Sequence, residues 1–295
     1  MSSKDSSFRL QSGAALDVTE GGDPRGRPIF VLHGSPGSRV LYGPHIDHAR
    51  KKGLRLISFS RPGYGGSSRQ EGRDVADGVA PVAAIADELR IEKFGVWGHS
   101  GGGKYALACA ALLPRRVVAA SCLSALAPMG AQGLDWFAGM GKSNEDDFKL
   151  MMTDRKAWEK GAEEQAKMLV AGEPTKENVI MSLSSLLSEV DRSMVTDEFA
   201  AFLGASVKSG LSQGAGGWID DALSDGMNWG FDMASIKVPT QVWHGRHDMF
   251  CPFAHGEWLA RHVPDTEAHL EPEEGHLSMF VRRVPEAQEW LLSKF

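Results

Sequence analysis

The first half of the chain alternates short apolar runs with segments of helical periodicity. The run IFVL (29–32) is apolar without alternation, as expected of a strand that is covered on both faces. Apolar residues recur at helical spacing over 75–89, which predicts a crossover helix. This alternation is typical of an α/β fold with a mostly parallel sheet. The strands predicted in this half span 8–11, 15–19, 28–32, 55–60, 94–97 and 117–124.

The pattern changes between residues 129 and 235. Apolar β-branched runs become rare there, and helical patterns predict helices over 146–171 and 176–202. Strands then return at 238–245 and 265–271, followed by a closing helix at 279–293. We therefore expect a core domain built from 1–128 and 236–295. The helical segment 129–235, called the inserted region below, is expected to form a cap after the sixth strand.

Composition narrows the classes of partner. The 295 residues are 42% hydrophobic and 24% charged with a net charge of -6, which argues against nucleic acid or an anionic membrane as the main partner. No run approaches the roughly 18 apolar residues of a membrane span, and the polar N-terminus lacks a signal-peptide core. The cysteines at 109, 122 and 251 fit neither a disulfide framework nor a zinc site. We expect a cytoplasmic protein and leave its oligomeric state open.

The segment VWGHSGGGKYALA (96–108) matches more than one kind of loop. From Gly98 it reads G-x-x-x-x-G-K, a phosphate-binding loop, but Lys104 is followed by Tyr105 and no nearby strand ends in Asp. A dinucleotide loop that begins at Gly101 lacks the acidic ribose partner expected about 20 residues later. Around Ser100 the same segment reads G-x-S-x-G, the sharp turn that presents a serine nucleophile.

A strand, a tight turn and a helix are all predicted around Ser100. The strand at 94–97 leads into Gly98, Gly102 stands two residues after the serine, and an alanine-rich helix follows at 105–113. Glycines at both flanking positions let the backbone fold back sharply. The segment therefore favours Ser100 as a nucleophile over an incidental serine in a glycine-rich turn.

A serine nucleophile needs a histidine to take its proton and a carboxylate to orient that histidine. Asp248 and His276 each follow a predicted strand, and the carboxyl ends of parallel strands are where such sheets bind ligands. The pattern His244-x-x-His247-Asp248 also suggests metal ligands, but on a strand and its turn the two histidines diverge, and no second cluster completes a site. We predict a triad of Ser100, Asp248 and His276 and no metal.

The negative oxygen of a tetrahedral intermediate needs N–H donors. One is Gly101, directly after the nucleophile, and the other is expected in the loop HGSPGS that follows the strand IFVL. Pro36 has no N–H to donate. Ser35 is therefore the predicted second donor, with His33 and Gly34 shaping the turn beside the substrate.

Five ordered motifs resemble those of the α/β-hydrolase superfamily: HGSPG (33–37), RPGYGGS (61–67), GHSGGG (98–103), HGRHD (244–248) and GH (275–276). The resemblance covers nearly the whole chain. It implies an eight-stranded, mostly parallel sheet flanked by helices, a helical cap after the sixth strand, the same triad and no cofactor. The elbow serine is unlike the aspartate of haloalkane dehalogenases and epoxide hydrolases. HGSPG is similar to the HGGPG loop of proline iminopeptidases, and the GHSGGG elbow is similar to that of a group of bacterial hydrolases.

The inserted region indicates the kind of substrate. It holds nine of the twelve methionines and four of the eight tryptophans. Most should form its core, but some should face the space above Ser100 and make an apolar pocket. Met129, after the sixth strand, and Phe250, after Asp248, are the candidate lining residues.

These features predict a cofactor-free serine hydrolase for a small-molecule substrate, namely a small or medium, largely apolar ester, thioester or lactone. Three alternatives keep the scaffold and change its use: a ligand receptor or signalling partner; a lyase, transferase or cofactor-free oxygenase; and an aminopeptidase of the proline-iminopeptidase type. With a histidine pKa near ~6.5, activity is expected to rise from about pH 6 to about pH 8.

Overall fold

One sheet organises the chain in the computed structural model, which describes residues 3–10, 13–226 and 228–295. Its strands are β1 (Lys4–Arg9), β2 (Ala15–Gly22), β3 (Arg27–Leu32), β4 (Leu54–Phe59), β5 (Phe94–His99), β6 (Val117–Leu123), β7 (Thr240–Gly245) and β8 (Glu267–Glu271). Their order is β1-β2-β4-β3-β5-β6-β7-β8. β1 and β2 pair antiparallel with their neighbours, and the other strands pair in parallel. The predicted eight-stranded, mostly parallel sheet is confirmed.

Helices cover both faces of this sheet. The α-helices of the described residues are α1 (Gly43–Lys51), α2 (Val79–Glu88), α3 (Gly103–Leu112), α4 (Lys142–Thr153), α5 (Arg155–Ala171), α6 (Lys176–Ser182), α7 (Glu189–Met194), α8 (Asp197–Gly210), α9 (Gly216–Asp225), α10 (Phe253–His262) and α11 (His276–Leu292). α2, α3 and α10 pack on one face, and α1 and α11 pack on the other. In β3, Phe30 and Leu32 face the first group and Ile29 and Val31 the second, which explains the unbroken apolar run.

The strand bounds differ from the prediction mainly at the first strand. β1 spans Lys4–Arg9, whereas the sequence predicts a strand over 8–11, of which residue 11 lies outside the described residues. The residues of β1 are mostly exposed, so no apolar run marks this edge strand. β3 to β8 lie within two residues of their predicted bounds.

The inserted region supplies α4 to α9, between β6 and β7. The prediction of two long, continuous helices over 146–171 and 176–202 is wrong, because each of these segments is divided into shorter helices. Asp154, Ser188 and Thr196 interrupt them, because each side chain accepts a hydrogen bond from the N–H three residues later and so caps a new helix. Within the described ranges, no helix has both the length and the apolar character needed to cross a membrane.

Candidate active site

The segment around Ser100 forms a strained turn between β5 and α3. Ser100 has φ +56°, a left-handed conformation that costs free energy in a residue with a side chain. A Cβ at Gly98 would lie 2.1 Å from the carbonyl oxygen of Gly102, and a Cβ at Gly102 would lie 2.0 Å from that of Leu32. Both flanking positions therefore require glycine, as the sequence pattern indicates.

Asp248 and His276 form a buried pair. Asp248 follows β7, and its Oδ1 accepts the N–H groups of Phe250 at 2.9 Å and Cys251 at 2.8 Å. Its Oδ2 lies 2.8 Å from Nδ1 of His276, the first residue of α11. Because a carboxylate only accepts, Nδ1 carries the proton, and Nε2 of His276 is left as a proton acceptor.

Burial shifts the pKa of both members of this pair. Burial lowers the pKa of His276 to about 4, so the neutral imidazole that a general base needs persists below pH 6.5. Burial also raises the pKa of Asp248, while the nearby His244 ring and the N–H of Cys251 act against that rise. The ring of Phe250 stacks on His276 with centroids 4.4 Å apart, which closes one side of the imidazole.

The loop after β3 lies against the elbow. A Cβ at Gly34 would be 3.3 Å from Cβ of Ser100, and a Cβ at Gly101 would be 3.3 Å from the backbone nitrogen of Ser35. The two predicted oxyanion donors, Ser35 and Gly101, are thus adjacent, on the two segments that meet at Ser100. His33 braces the loop, because its Nδ1 donates to the carbonyl of Gly34 at 2.8 Å and its Nε2 accepts from a backbone N–H at 3.1 Å.

A buried carboxylate from the inserted region holds this loop, and the sequence patterns do not reveal it. Oδ2 of Asp221, on α9, accepts the hydroxyl of Ser35 at 2.5 Å. The same carboxylate accepts hydrogen bonds from the side chains of Arg61, Tyr64, Arg73 and Tyr105. Arg61 and Tyr64 belong to the motif RPGYGGS, and their polar side chains were the one sign in the sequence of a buried polar partner. Nothing in the sequence identifies that partner as Asp221, which lies 160 positions after Arg61.

Charge balance keeps Asp221 ionised. Burial alone would raise the pKa of its carboxyl, but the neighbouring Arg61, Arg73 and Lys104 outweigh burial and hold this pKa well below its usual range. Nζ of Lys104 also forms an ion pair with Oδ1 of Asp225 at 2.6 Å. Lys104 therefore has a structural role here, whereas in a phosphate-binding loop that begins at Gly98 it would contact phosphate. These ion pairs join α9 to α3 and to the segment after β4, beside the oxyanion loop.

Ser100 and His276 open into one cavity of about 620 Å³ between the sheet and the inserted region. Its wall is largely apolar. The lining residues from α5, α6 and α8 include Met168, Leu169, Val179, Met181, Phe199, Phe202, Leu203 and Val207. On the core side the wall includes His33, Gly34, Ser35 and Phe250, four of the residues predicted from sequence.

Met129 does not line this cavity. It packs instead against the helical core of the inserted region, and its N–H donates to the carbonyl of Asp225 at 3.0 Å. None of the four tryptophans of the inserted region lines the cavity either. Trp158 and Trp218 pack in the core of that region, Trp229 packs in the core on the sheet, and Trp136 packs against Phe148 and His255. The apolar side chains that the inserted region contributes to the wall are those of leucine, valine, phenylalanine, proline and two methionines.

His244, the first histidine of the pattern His244-x-x-His247, lies at the end of β7 and forms a hydrogen bond. His244 is buried, and its Nε2 donates to the carbonyl of Cys251 at 2.6 Å. In the part of the chain that the structure describes, no group of three or more His, Cys, Asp or Glu side chains is placed to hold a metal ion.

Comparisons with known proteins agree with this architecture. A family model described as alpha/beta hydrolase fold matches residues 27–282. The chain is 28% identical over 254 residues to the AB hydrolase superfamily protein YisY of Bacillus subtilis (strain 168), with 85% of each chain covered. It is 27% identical over 259 residues to the 2-hydroxy-6-oxononadienedioate/2-hydroxy-6-oxononatrienedioate hydrolase of Comamonas testosteroni, covering 85% of this chain and 82% of that protein. The structure is similar to the alpha/beta hydrolase fold protein from Chitinophaga pinensis, with a TM-score of 0.72 and 19% identity over 100% of this chain and 98% of that one.

Proposed function

Since this chain belongs to the alpha/beta hydrolase fold family, we propose that it is a serine hydrolase that cleaves a small or medium apolar ester, thioester or lactone through an acyl-enzyme on Ser100. One observation carries the proposal. A serine at a strained elbow shares a cavity with a histidine whose Nδ1 is held by a buried carboxylate at 2.8 Å.

The reaction follows from the roles that this geometry supports. Nε2 of His276 takes the hydroxyl proton as Oγ of Ser100 attacks the carbonyl carbon, and Asp248 stabilises the imidazolium that forms. The N–H groups of Ser35 and Gly101 donate to the negative oxygen of the tetrahedral intermediate. When this intermediate collapses, His276 gives its proton to the leaving oxygen or sulfur. A water molecule, activated by the same imidazole, then hydrolyses the acyl-enzyme.

The cavity wall supports an apolar substrate. Among its described lining residues, Glu173 is the one with a carboxylate, and Glu173 is exposed on the inserted region. An aminopeptidase needs a negative group facing the substrate ammonium, since a buried charge is costly without a partner. The wall therefore favours an uncharged acyl group over the N-terminus of a peptide.

Hydrolysis of short and medium p-nitrophenyl esters tests the proposal, together with labelling by a fluorophosphonate. We expect turnover and a label on Ser100 in the wild type, and in Ser100→Ala a loss of turnover of about a thousand- to a millionfold with no label. Ser212 is an exposed serine two residues after α8, and Ser212→Ala is the matched control that should behave as the wild type. Full activity in Ser100→Ala contradicts the proposal. Slow single turnover with tight retention of the ligand favours a receptor.

A further inference from the structure

A second carboxylate lies beside the proposed base, and the mechanism above does not use it. Asp191, on α7 of the inserted region, is fully buried. Its Oδ2 accepts the N–H of His276 at 3.0 Å, and its Oδ1 accepts those of Leu277 at 2.8 Å and Ser278 at 3.0 Å. The hydroxyl of Ser188 also donates to Oδ2, at 2.9 Å. Four donors are thus directed at this carboxylate. Burial raises the pKa of Asp191, and the N–H groups of Ser278 and His276 act against that rise because they favour the ionised form.

The position of His276 makes this carboxylate relevant to catalysis. His276 is the first residue of α11, and the N-terminus of an α-helix carries about half a positive charge. That charge disfavours the imidazolium, which must form each time His276 takes a proton. Asp191 occupies the helix terminus and brings a negative charge that offsets it. A Cβ at Gly275 would lie 2.4 Å from Oδ2 of Asp191, so the chain has glycine where the carboxylate approaches most closely.

We propose that Asp191 is a positioning residue for the base: it fixes the start of α11 and neutralises the helix terminus on which His276 stands, and so stabilises the imidazolium. This inference rests on the proposed function of His276. It also gives the inserted region a part in the chemistry, because a helix from that region holds the base through the backbone.

Among the described residues, Asp191 and Asp248 are the two carboxylate neighbours of His276. The other titratable groups that face His276 are neutral. The ring of His99 lies 4.5 Å from that of His276, and burial lowers its pKa well below 6.5, which keeps it neutral. Burial likewise lowers the pKa of His244 and raises that of the Cys251 thiol, so neither brings a charge near neutral pH. Burial lowers the pKa of His276 itself, and the charge of Asp191 acts against that lowering.

Two substitutions by uncharged capping residues distinguish this role from that of an ordinary helix cap. Asn and Ser each keep one acceptor oxygen for the N–H groups at the start of α11, although neither replaces all four hydrogen bonds of the carboxylate. A purely structural Asp191 therefore predicts that Asp191→Asn and Asp191→Ser lose stability but keep the pH profile of the wild type. Our proposal predicts that both variants fold but lose about tenfold in kcat/KM, the equivalent of about one pKa unit at the base. It also predicts that the acidic limb of their pH profile moves to lower pH. Asp154→Asn, which changes the cap of α5 in the same inserted region, is the matched control and should change neither quantity.

Labelling rates and NMR keep this test distinct from the test of the proposed function. The rate of fluorophosphonate labelling of Ser100 requires the base but no particular substrate, and an NMR titration follows the His276 ring directly. A wild type that neither turns over esters nor labels contradicts the proposed function, while the titration still decides whether Asp191 acts on His276. If the titration and kcat/KM of the neutral variants equal those of the wild type, or if both variants fail to fold while Asp154→Asn folds, Asp191 is a structural cap alone and the inference is wrong.

Discussion

The hydroxyl of Ser35 donates a 2.5 Å hydrogen bond to Oδ2 of Asp221, a residue 186 positions later in the chain. The bond joins the loop that carries a proposed oxyanion donor to a helix of the inserted region. Because Arg61 also donates to both Ser35 and Asp221, the loop is held by a charged, hydrogen-bonded network and not by a single contact. Such a network keeps an N–H donor at a set position, which is what stabilisation of a developing negative charge requires.

Removing the carboxylate at the centre of this network should destabilise the fold. Asp221→Ala leaves the buried guanidinium groups of Arg61 and Arg73 without their main counter-charge, and we expect the free energy of unfolding to fall by about 3–5 kcal/mol. Urea denaturation followed by circular dichroism measures this loss. Asp87→Ala breaks the exposed pair with Arg116 and should cost no more than about 1 kcal/mol. Equal losses of unfolding free energy in the two variants would show that the buried network stabilises the fold no more than an exposed ion pair does.

The contact between Gly101 and Ser35 should be sensitive to a single methyl group. A Cβ at Gly101 would lie 2.6 Å from Oγ of Ser35, so Gly101→Ala must displace the oxyanion loop. We expect a loss of about a hundredfold in kcat, comparable to the removal of one oxyanion donor. The measurement is steady-state hydrolysis of the best p-nitrophenyl ester.

A second substitution checks the cause of that loss. Ser35→Gly removes the side chain that the new methyl group would strike and keeps the backbone N–H. The double variant Gly101→Ala with Ser35→Gly should therefore be more active than Gly101→Ala alone, a non-additive result that residues in contact can give. If the losses in kcat of the two single variants simply add in the double variant, contact with the side chain of Ser35 is not the cause of the loss in Gly101→Ala.

The pH profile should differ from that of an unperturbed histidine. The base acts in its neutral form, and burial lowers the pKa of His276 to about 4, so the neutral form is present throughout the range from pH 6 to 8. We expect protonation of His276 itself to lower kcat/KM only at pH values well below 6.5, in place of the rise predicted from an ordinary histidine. Within the range from pH 6 to 8, Asp248 is the member of the pair that titrates, because burial raises its pKa to about 7. Initial rates with a neutral ester measure the profile. An inflection at or above pH 6.5 that coincides with the NMR titration of the His276 ring would contradict the effect of burial on His276.

Buried neutral histidines should make the fold sensitive to acid. Nδ1 of His255 accepts the N–H of Ala127 at 3.0 Å and its Nε2 donates to the carbonyl of Trp136 at 2.9 Å, so the ring must be neutral. Burial lowers its pKa in the folded state to about 4. Below pH 6.5 the unfolded state then binds more protons than the folded state, and the stability falls as the pH falls.

His255 should contribute about 2 kcal/mol to the loss of stability between pH 8 and pH 5. Urea denaturation at several pH values measures that loss, and His255→Gln should reduce it by this amount. His262→Gln replaces an exposed histidine on the same helix and serves as the control, with the pH dependence of the wild type. If His255→Gln also keeps the full dependence, other groups cause the sensitivity to acid.

Local patterns in the sequence determined the sheet and the positions of the three predicted triad residues. Strands covered on both faces appear as unbroken apolar runs, and the glycines around Ser100 are required by contacts within the same turn. Asp248 and His276 follow strands whose carboxyl ends share one edge, so their meeting at 2.8 Å follows from the topology. Their catalytic roles remain a proposal.

Only the tertiary structure decided which residues of the inserted region reach the site. Asp191 and Asp221 have no motif around them, because their partners His276 and Arg61 lie 85 and 160 positions away. Met129 was predicted in the pocket from its place after β6, but it packs in the core of the inserted region. Helical periodicity predicts that a residue is buried, but it does not predict which neighbour the residue packs against. That choice depends on how α4 to α9 pack over the sheet, which is set by contacts between residues far apart in the chain.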